Sequence, residues 1–152
     1  MKIGFIGTGN MAQAIINGLL EKGTVAKEDI FVSSGHYENA KRFADKIGVT
    51  ACKSNQEVAE QVETILLAVK PKIIDQVLKD LRSYSKKRLF ISIASGKAIS
   101  DLTESLNNLD AKIIRVMPNV NVSVGAGVSA ICKSRTVTDS ELKQATDIFE
   151  AI

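Results

Sequence analysis

Tryptophan is absent from the chain, histidine occurs once, and cysteine and proline occur twice each. Cys52 and Cys132 stand far apart, in no metal-pair spacing, and two distant thiols make no disulfide framework. They are expected to be reduced, partly buried thiols. With His36 alone, there is no histidine cluster to ligate a metal and no His-Asp-Ser set for nucleophilic catalysis. No apolar run approaches the roughly 20 residues that span a bilayer. The N-terminus enters Lys2-Ile3-Gly4-Phe5-Ile6 directly, without a signal-peptide layout. A cytoplasmic protein with no membrane partner is the expectation. Charge of one sign is also scarce: the net is +3, and the longest basic run is Lys86-Lys87-Arg88. That run reads as a solvated loop before a strand, so no nucleic-acid partner is implied. What remains is a balance of 45% hydrophobic and 24% charged residues in 152, ordinary for one globular domain.

Short apolar runs alternate with amphipathic stretches. Strands are expected at Lys2–Ile6, Ile30–Ser33, Val49–Cys52, Thr64–Val69, Leu89–Ala94, Lys112–Met117 and Val128–Cys132. Between them the 3.6-residue period predicts helices at Met11–Glu21, Glu38–Ile47, Asn55–Gln61, Pro71 to about Leu81, and Ile99–Leu106, with a last one at Asp139–Ile152. Gly23 and Gly48 stop the first two. Continuous apolar strands alternating with helices imply an α/β fold, a doubly wound Rossmann-type sheet, mainly parallel, with helices on both faces. Ligands of such sheets bind outside the carboxyl ends of the strands. The last helix has no Gly or Asn stop and ends on apolar Ile152, from which a further domain is expected beyond it.

The strongest local motif is Gly7-Thr8-Gly9-Asn10-Met11-Ala12, which follows a strand and opens a helix, as a dinucleotide fingerprint must. Gly7 allows the tight turn, Gly9 leaves room for a pyrophosphate against the backbone, and Ala12 keeps the helix close to the strand. The free N–H groups of the helix start then face the phosphates. A tight turn without a ligand is the alternative. Strand two ends in Val32-Ser33-Ser34-Gly35-His36, with no carboxylate to bond a ribose and repel a 2′-phosphate. Ser33 and Ser34 offer hydrogen bonds, and His36, Lys41 and Arg42 stand nearby as candidate positive charges. NADP(H) is therefore preferred, with NAD(H) possible. Taken alone, His36 reads first as an exposed turn residue and only second as a charged partner. Ala68-Val69-Lys70-Pro71 ends the most apolar strand, with Pro71 suited to the first position of a helix and Lys70 either a contact or a solvated side chain. Ser92-Ile93-Ala94-Ser95-Gly96 is stripped of bulk, and Ala94, Ser95 and Gly96 leave space for a flat ring. In Arg115-Val116-Met117-Pro118-Asn119, Asn119 offers a donor and an acceptor, as a carboxamide or an imine requires, or else serves a turn. No catalytic acid or base stands out, which fits a reaction whose hard chemistry belongs to a cofactor.

In this order and spacing the segments resemble the N-terminal half of the pyrroline-5-carboxylate reductases. The Ala-Val-Lys-Pro and Met-Pro-Asn loops are more specific than the Gly-rich turn, which many reductases share. The resemblance implies NAD(P)H-dependent reduction of 1-pyrroline-5-carboxylate, a cyclic imine, to L-proline. It places the pyrophosphate on Gly7–Met11, the adenosine phosphate near Ser34 and the adenosine side near Asn55. It lays Ala68–Pro71 and Ala94–Gly96 along the ribose and nicotinamide. It also implies a helical C-terminal domain that pairs subunits into a homo-oligomer and supplies most substrate contacts. This sequence lacks that domain, so by itself it is expected to bind cofactor and turn over little. Val120-Asn121 stands where the family often has Thr-Pro. The rivals are another two-domain reductase (hydroxyacid, prephenate or ketopantoate dehydrogenase) and a module that senses NADP without catalysis.

Overall fold

The computed structural model describes residues 1–118 and 128–150. Among these residues seven strands form one sheet: β1 (Ile3–Ile6), β2 (Ile30–Ser33), β3 (Thr50–Ala51), β4 (Thr64–Leu67), β5 (Leu89–Ser92), β6 (Lys112–Pro118) and β7 (Val128–Lys133). Their spatial order is β3-β2-β1-β4-β5-β6-β7. All pairs are parallel except β6 with β7. Only residues 119–127 separate those two strands, fewer than the dozen or so that a parallel crossover requires. The chain winds outward from β1 to β3, returns to β4 beside β1, and winds the other way. The reversal opens a crevice at the carboxyl ends of β1 and β4. The expected Rossmann-type architecture is the one observed.

Among the described residues six α-helices cover the sheet: α1 (Asn10–Glu21), α2 (Tyr37–Ile47), α3 (Asn55–Gln61), α4 (Pro71–Asp80), α5 (Ile99–Ser105) and α6 (Asp139–Glu150). Strand side chains alternate between faces, so each parallel strand feeds two cores. Ile3, Phe5, Leu66, Ile91 and Ile114 pack with α1, α2 and α6. Ile6, Ile65, Leu67, Phe90 and Ile113 pack with α3, α4 and α5. Burying each such side chain contributes about 1.5–3 kcal/mol.

The expected strands at Thr64–Val69 and Leu89–Ala94 overrun. Ladder pairing of β4 with β5 ends at Leu67 and Ser92, although the Ala68 and Ile93 N–H groups still bond to Ile6 and Leu67 carbonyls. Apolar character continues past the ladder because the next residues line a cleft. At Val49–Cys52 only Thr50 and Ala51 are strand, a short edge. Asn119 and the Val120-Asn121 departure lie outside the described residues, as does Ile152.

Candidate cofactor site

The Gly-rich turn sits at the topological reversal. Gly7 N–H donates to the Ser33 carbonyl (2.8 Å), joining the ends of β1 and β2. Gly7 has φ +104°, and a Cβ there would overlap the Ala68 carbonyl. Both facts demand glycine, one for backbone conformation and one for the close approach of the β4 end. Gly9 is different: its φ of −76° is open to any residue, and a Cβ on it would meet nothing within 4 Å. The fold therefore tolerates a side chain at Gly9, and the space in front of it is free for a ligand. Gly9 precedes α1 as N-cap and contributes no side-chain cap. The first-turn N–H groups, which have no partner within a helix, accordingly stay available to an anion. Gln13 Nε2 donates to the Thr8 carbonyl (2.8 Å), closing the turn from one helical turn away. In the sequence Gln13 is marked only by its polarity among Ala12, Ala14, Ile15 and Ile16.

A cleft of about 520 Å³ opens beside this turn. Gly9, Asn10, Met11 and Ala12 form one wall, and Ala68, Val69, Lys70 and Pro71 form a second. Ile93, Ala94, Ser95 and Met117 close the third. The structure thus brings together residues from four strand ends, those of β1, β4, β5 and β6, that lie far apart in sequence. Pro71 begins α4 with Lys70 as N-cap, so proline occupies a position whose N–H would be unpaired anyway. Ala94 is held by a bond from its N–H to Ser92 Oγ (3.2 Å), and small side chains at 94 and 95 keep this wall close to the main chain. Gly96 (φ +76°) is exposed and lies outside the cleft lining. Lys97 next to it pairs with Asp75 on α4 at 3.0 Å, and Asp75 also accepts from Ser105 (3.0 Å). These bonds tie the loop after β5 to α4 and hold the Asp75 carboxyl below its ordinary range, Lys97 first and Ser105 second.

The residues after β2 form a separate group. Ser33 is buried, and its Oγ donates to Asn55 Oδ1 at 2.8 Å. Asn55 is the first residue of α3, capped by Ser54. Ser34 Oγ donates to the His36 carbonyl within the turn. Neither Ser33, Ser34 nor Asn55 lines the cleft. On the other side of the Gly-rich turn runs a groove of about 460 Å³ between α1 and α2. Thr8, Gly9 and Gln13 meet Asn39, Arg42, Phe43 and Lys46 there. Of the nearby cations weighed from sequence, Arg42 faces this groove. Lys41 instead turns away and pairs with Asp45 (2.6 Å), and His36 is the N-cap of α2. A somewhat larger hollow of about 550 Å³ is lined by Met1, Lys2, Glu60, Gln61, Val62, Glu63 and Arg88. It sits at the amino ends of the strands, away from the edge where doubly wound sheets bind ligands.

Among the described residues no group of three or more His, Cys, Asp or Glu is placed to hold a metal, and no helix is long and apolar enough to cross a membrane. Cys52 is buried and Cys132 exposed; burial, with Glu57 adding to it, pushes the Cys52 thiol up to about 11.

Residues 2–96 match the family model described as NADP oxidoreductase coenzyme F420-dependent. The chain is 38% identical over 149 residues to the pyrroline-5-carboxylate reductase of Escherichia coli K12, covering 97% of this chain and 55% of that protein. It is 36% identical over 152 residues to the Synechocystis enzyme of the same name, covering 100% and 56%. Among solved structures, Plasmodium falciparum pyrroline carboxylate reductase with NADP bound superposes with a TM-score of 0.86 at 32% identity, over 99% of this chain and 55% of that one. A pyrroline-5-carboxylate reductase from Coxiella burnetii superposes at 0.91 and 31%, over 99% and 56%. Prephenate dehydrogenase from A. aeolicus shares the fold (TM-score 0.79, 99% and 57% coverage) at 15% identity. The chain spans about half the length of the curated relatives it matches. It belongs to the family described as NADP oxidoreductase coenzyme F420-dependent, and within it is similar to the pyrroline-5-carboxylate reductases along that half.

Proposed function

We propose that this chain holds NADP(H) at the carboxyl edge of its sheet, with NAD(H) as the weaker cofactor. The protein that carries it reduces 1-pyrroline-5-carboxylate to L-proline. The observation that carries the reading is Gly9: open space lies in front of it, at an uncapped helix start, on the wall of a cleft built from four strand ends.

The pyrophosphate rests on Gly7, Thr8, Gly9, Asn10 and Met11, where the first-turn N–H groups of α1 donate and the helix dipole favours its charge. The adenosine end lies toward Ser33, Ser34 and Asn55. The ribose and nicotinamide lie along Ala68, Val69, Lys70, Pro71 and Ala94, with Gly96 shaping the loop from outside the cleft and Asn119 as an expected carboxamide partner. When bound, the reduced nicotinamide supplies the hydride. The chain's own part is to hold the ring flat against small residues, fix its distance from the imine carbon and exclude water, contributions of proximity and electrostatics. No catalytic acid or base is assigned to these residues. The substrate is a small cyclic imine, the setting cytoplasmic, and the working assembly a homo-oligomer formed through a further helical domain.

A second reading follows from the description of the matched family, which names coenzyme F420 beside NADP: hydride exchange between those two. Consumption of NADPH by the gene product that carries this chain, supplied with 1-pyrroline-5-carboxylate, separates the two. Turnover with the imine supports the reductase. A folded, NADPH-binding protein that ignores the imine but reacts with F420 contradicts it.

A further inference from the structure

The preference for a 2′-phosphate is easily ascribed to Ser33 and Ser34, yet both hydroxyl protons already have protein acceptors, that of Ser33 in the interior and that of Ser34 within the exposed turn after β2. Ser33 is 1% exposed and donates to Asn55 Oδ1, and Ser34 donates to the His36 carbonyl. Lys41 is occupied by Asp45. A phosphate dianion needs donors and positive charge, and both are found one step away. Arg42 and Lys46 lie on the face of α2 that meets Thr8 and Gly9 across the groove. Both are exposed, neither forms an ion pair among the described residues, and no carboxylate is among the groove's described lining residues. Arg42 is five residues along from the start of α2, roughly 7.5 Å along the helix axis. Asn39, bonded through its N–H to the His36 carbonyl (3.0 Å), carries the groove lining back to the turn after β2.

We infer that Arg42, supported by Lys46, is the residue that selects NADP(H) over NAD(H), by taking the 2′-phosphate in the α1–α2 groove. The reading rests on the proposed function and names which group of the cofactor this groove receives. Ser33 then acts at one remove. Its bond to Oδ1 leaves the Asn55 amide N–H groups as the donors presented to the adenosine side.

The test is calorimetric titration of the chain and its Arg42→Ala and Arg42→Lys variants with NADPH and with NADH. Loss of one charge-assisted contact is expected to weaken NADPH binding about tenfold. NADH affinity is expected to stay within about twofold, which also shows that the variant is folded and its pyrophosphate site intact. Arg42→Lys recovers part of the preference, because lysine keeps the charge but not the fork of donors. Equal weakening of NADPH and NADH places the side chain at the pyrophosphate and overturns the inference, as does an unchanged NADPH affinity. If the unaltered chain binds neither dinucleotide, the proposed function itself falls.

Discussion

Val58 of α3 packs so closely on β1 that a Cβ on Gly4 would overlap its Cγ1. Val58 is fully buried and stiff at χ1, so it cannot swing aside. Gly4 is thus a packing glycine, on the same strand as Gly7 but with no part in the cleft. Gly4→Ala is expected to cost about 1–3 kcal/mol by overpacking, read as a fall in the urea midpoint with unchanged slope. NADPH affinity of the folded fraction should not change. A stable Gly4→Ala protein would mean that α3 sits farther from the sheet.

Gly7→Ala is expected to be more severe, because it adds a left-handed backbone conformation to an overlap with the Ala68 carbonyl. Strain of that kind costs about 1–3 kcal/mol before the overlap is counted. Expression in soluble form and the thermal midpoint report it; a midpoint equal to the parent's contradicts the turn geometry.

The two thiols should differ sharply. Cys132 is exposed, whereas Cys52 is buried with its pKa raised to about 11, and the thiolate is the reactive form. A disulfide-exchange reagent at pH 8 is expected to modify one thiol quickly in the folded chain and the second only on unfolding. Two fast thiols would place Cys52 nearer the surface.

The Asp75 carboxyl is held below the usual carboxylate range by Lys97 and then Ser105. A carboxylate with a lowered folded pKa contributes stability above its unfolded value and loses it as pH falls through the folded one. Asp75→Asn is therefore expected to lower the thermal midpoint slightly at neutral pH, since the pair is only half-buried and is partly screened by solvent. The difference should shrink below about pH 4. A gap that is constant with pH shows that the charge of Asp75 contributes nothing and only its hydrogen bonds matter.

Most of the architecture was legible because a doubly wound fold repeats one pattern. Apolar strands, amphipathic helices and the Gly-rich turn carry local signals, and the helix boundaries fell within a residue or two. Strand ends were less legible: Ala68-Val69 and Ile93-Ala94 stay apolar after pairing stops, since a cleft wall and a core strand select similar side chains. The commitments of Ser33 and Lys41 were hidden for different reasons. The partner of Ser33 is Asn55, 22 residues on, and no spacing rule links them. Lys41 and Arg42 are adjacent in sequence, but buried Ala40, Phe43 and Ala44 set which of them flanks α1. That choice could have been read from helical periodicity. Lys97 and Asp75, likewise 22 residues apart, meet only because the sheet order sets the β5 loop beside α4.

On the proposed function, the space before Gly9 receives the cofactor phosphates. Gly9→Ala tests it, because the backbone there accepts alanine and the added Cβ touches no protein atom within 4 Å. Calorimetric titration with NADPH, paired with a thermal midpoint, is the measurement. An unchanged midpoint is expected, with binding weakened at least tenfold, about 1.4 kcal/mol. Gly9→Ala protein that binds NADPH as tightly as the parent would contradict it.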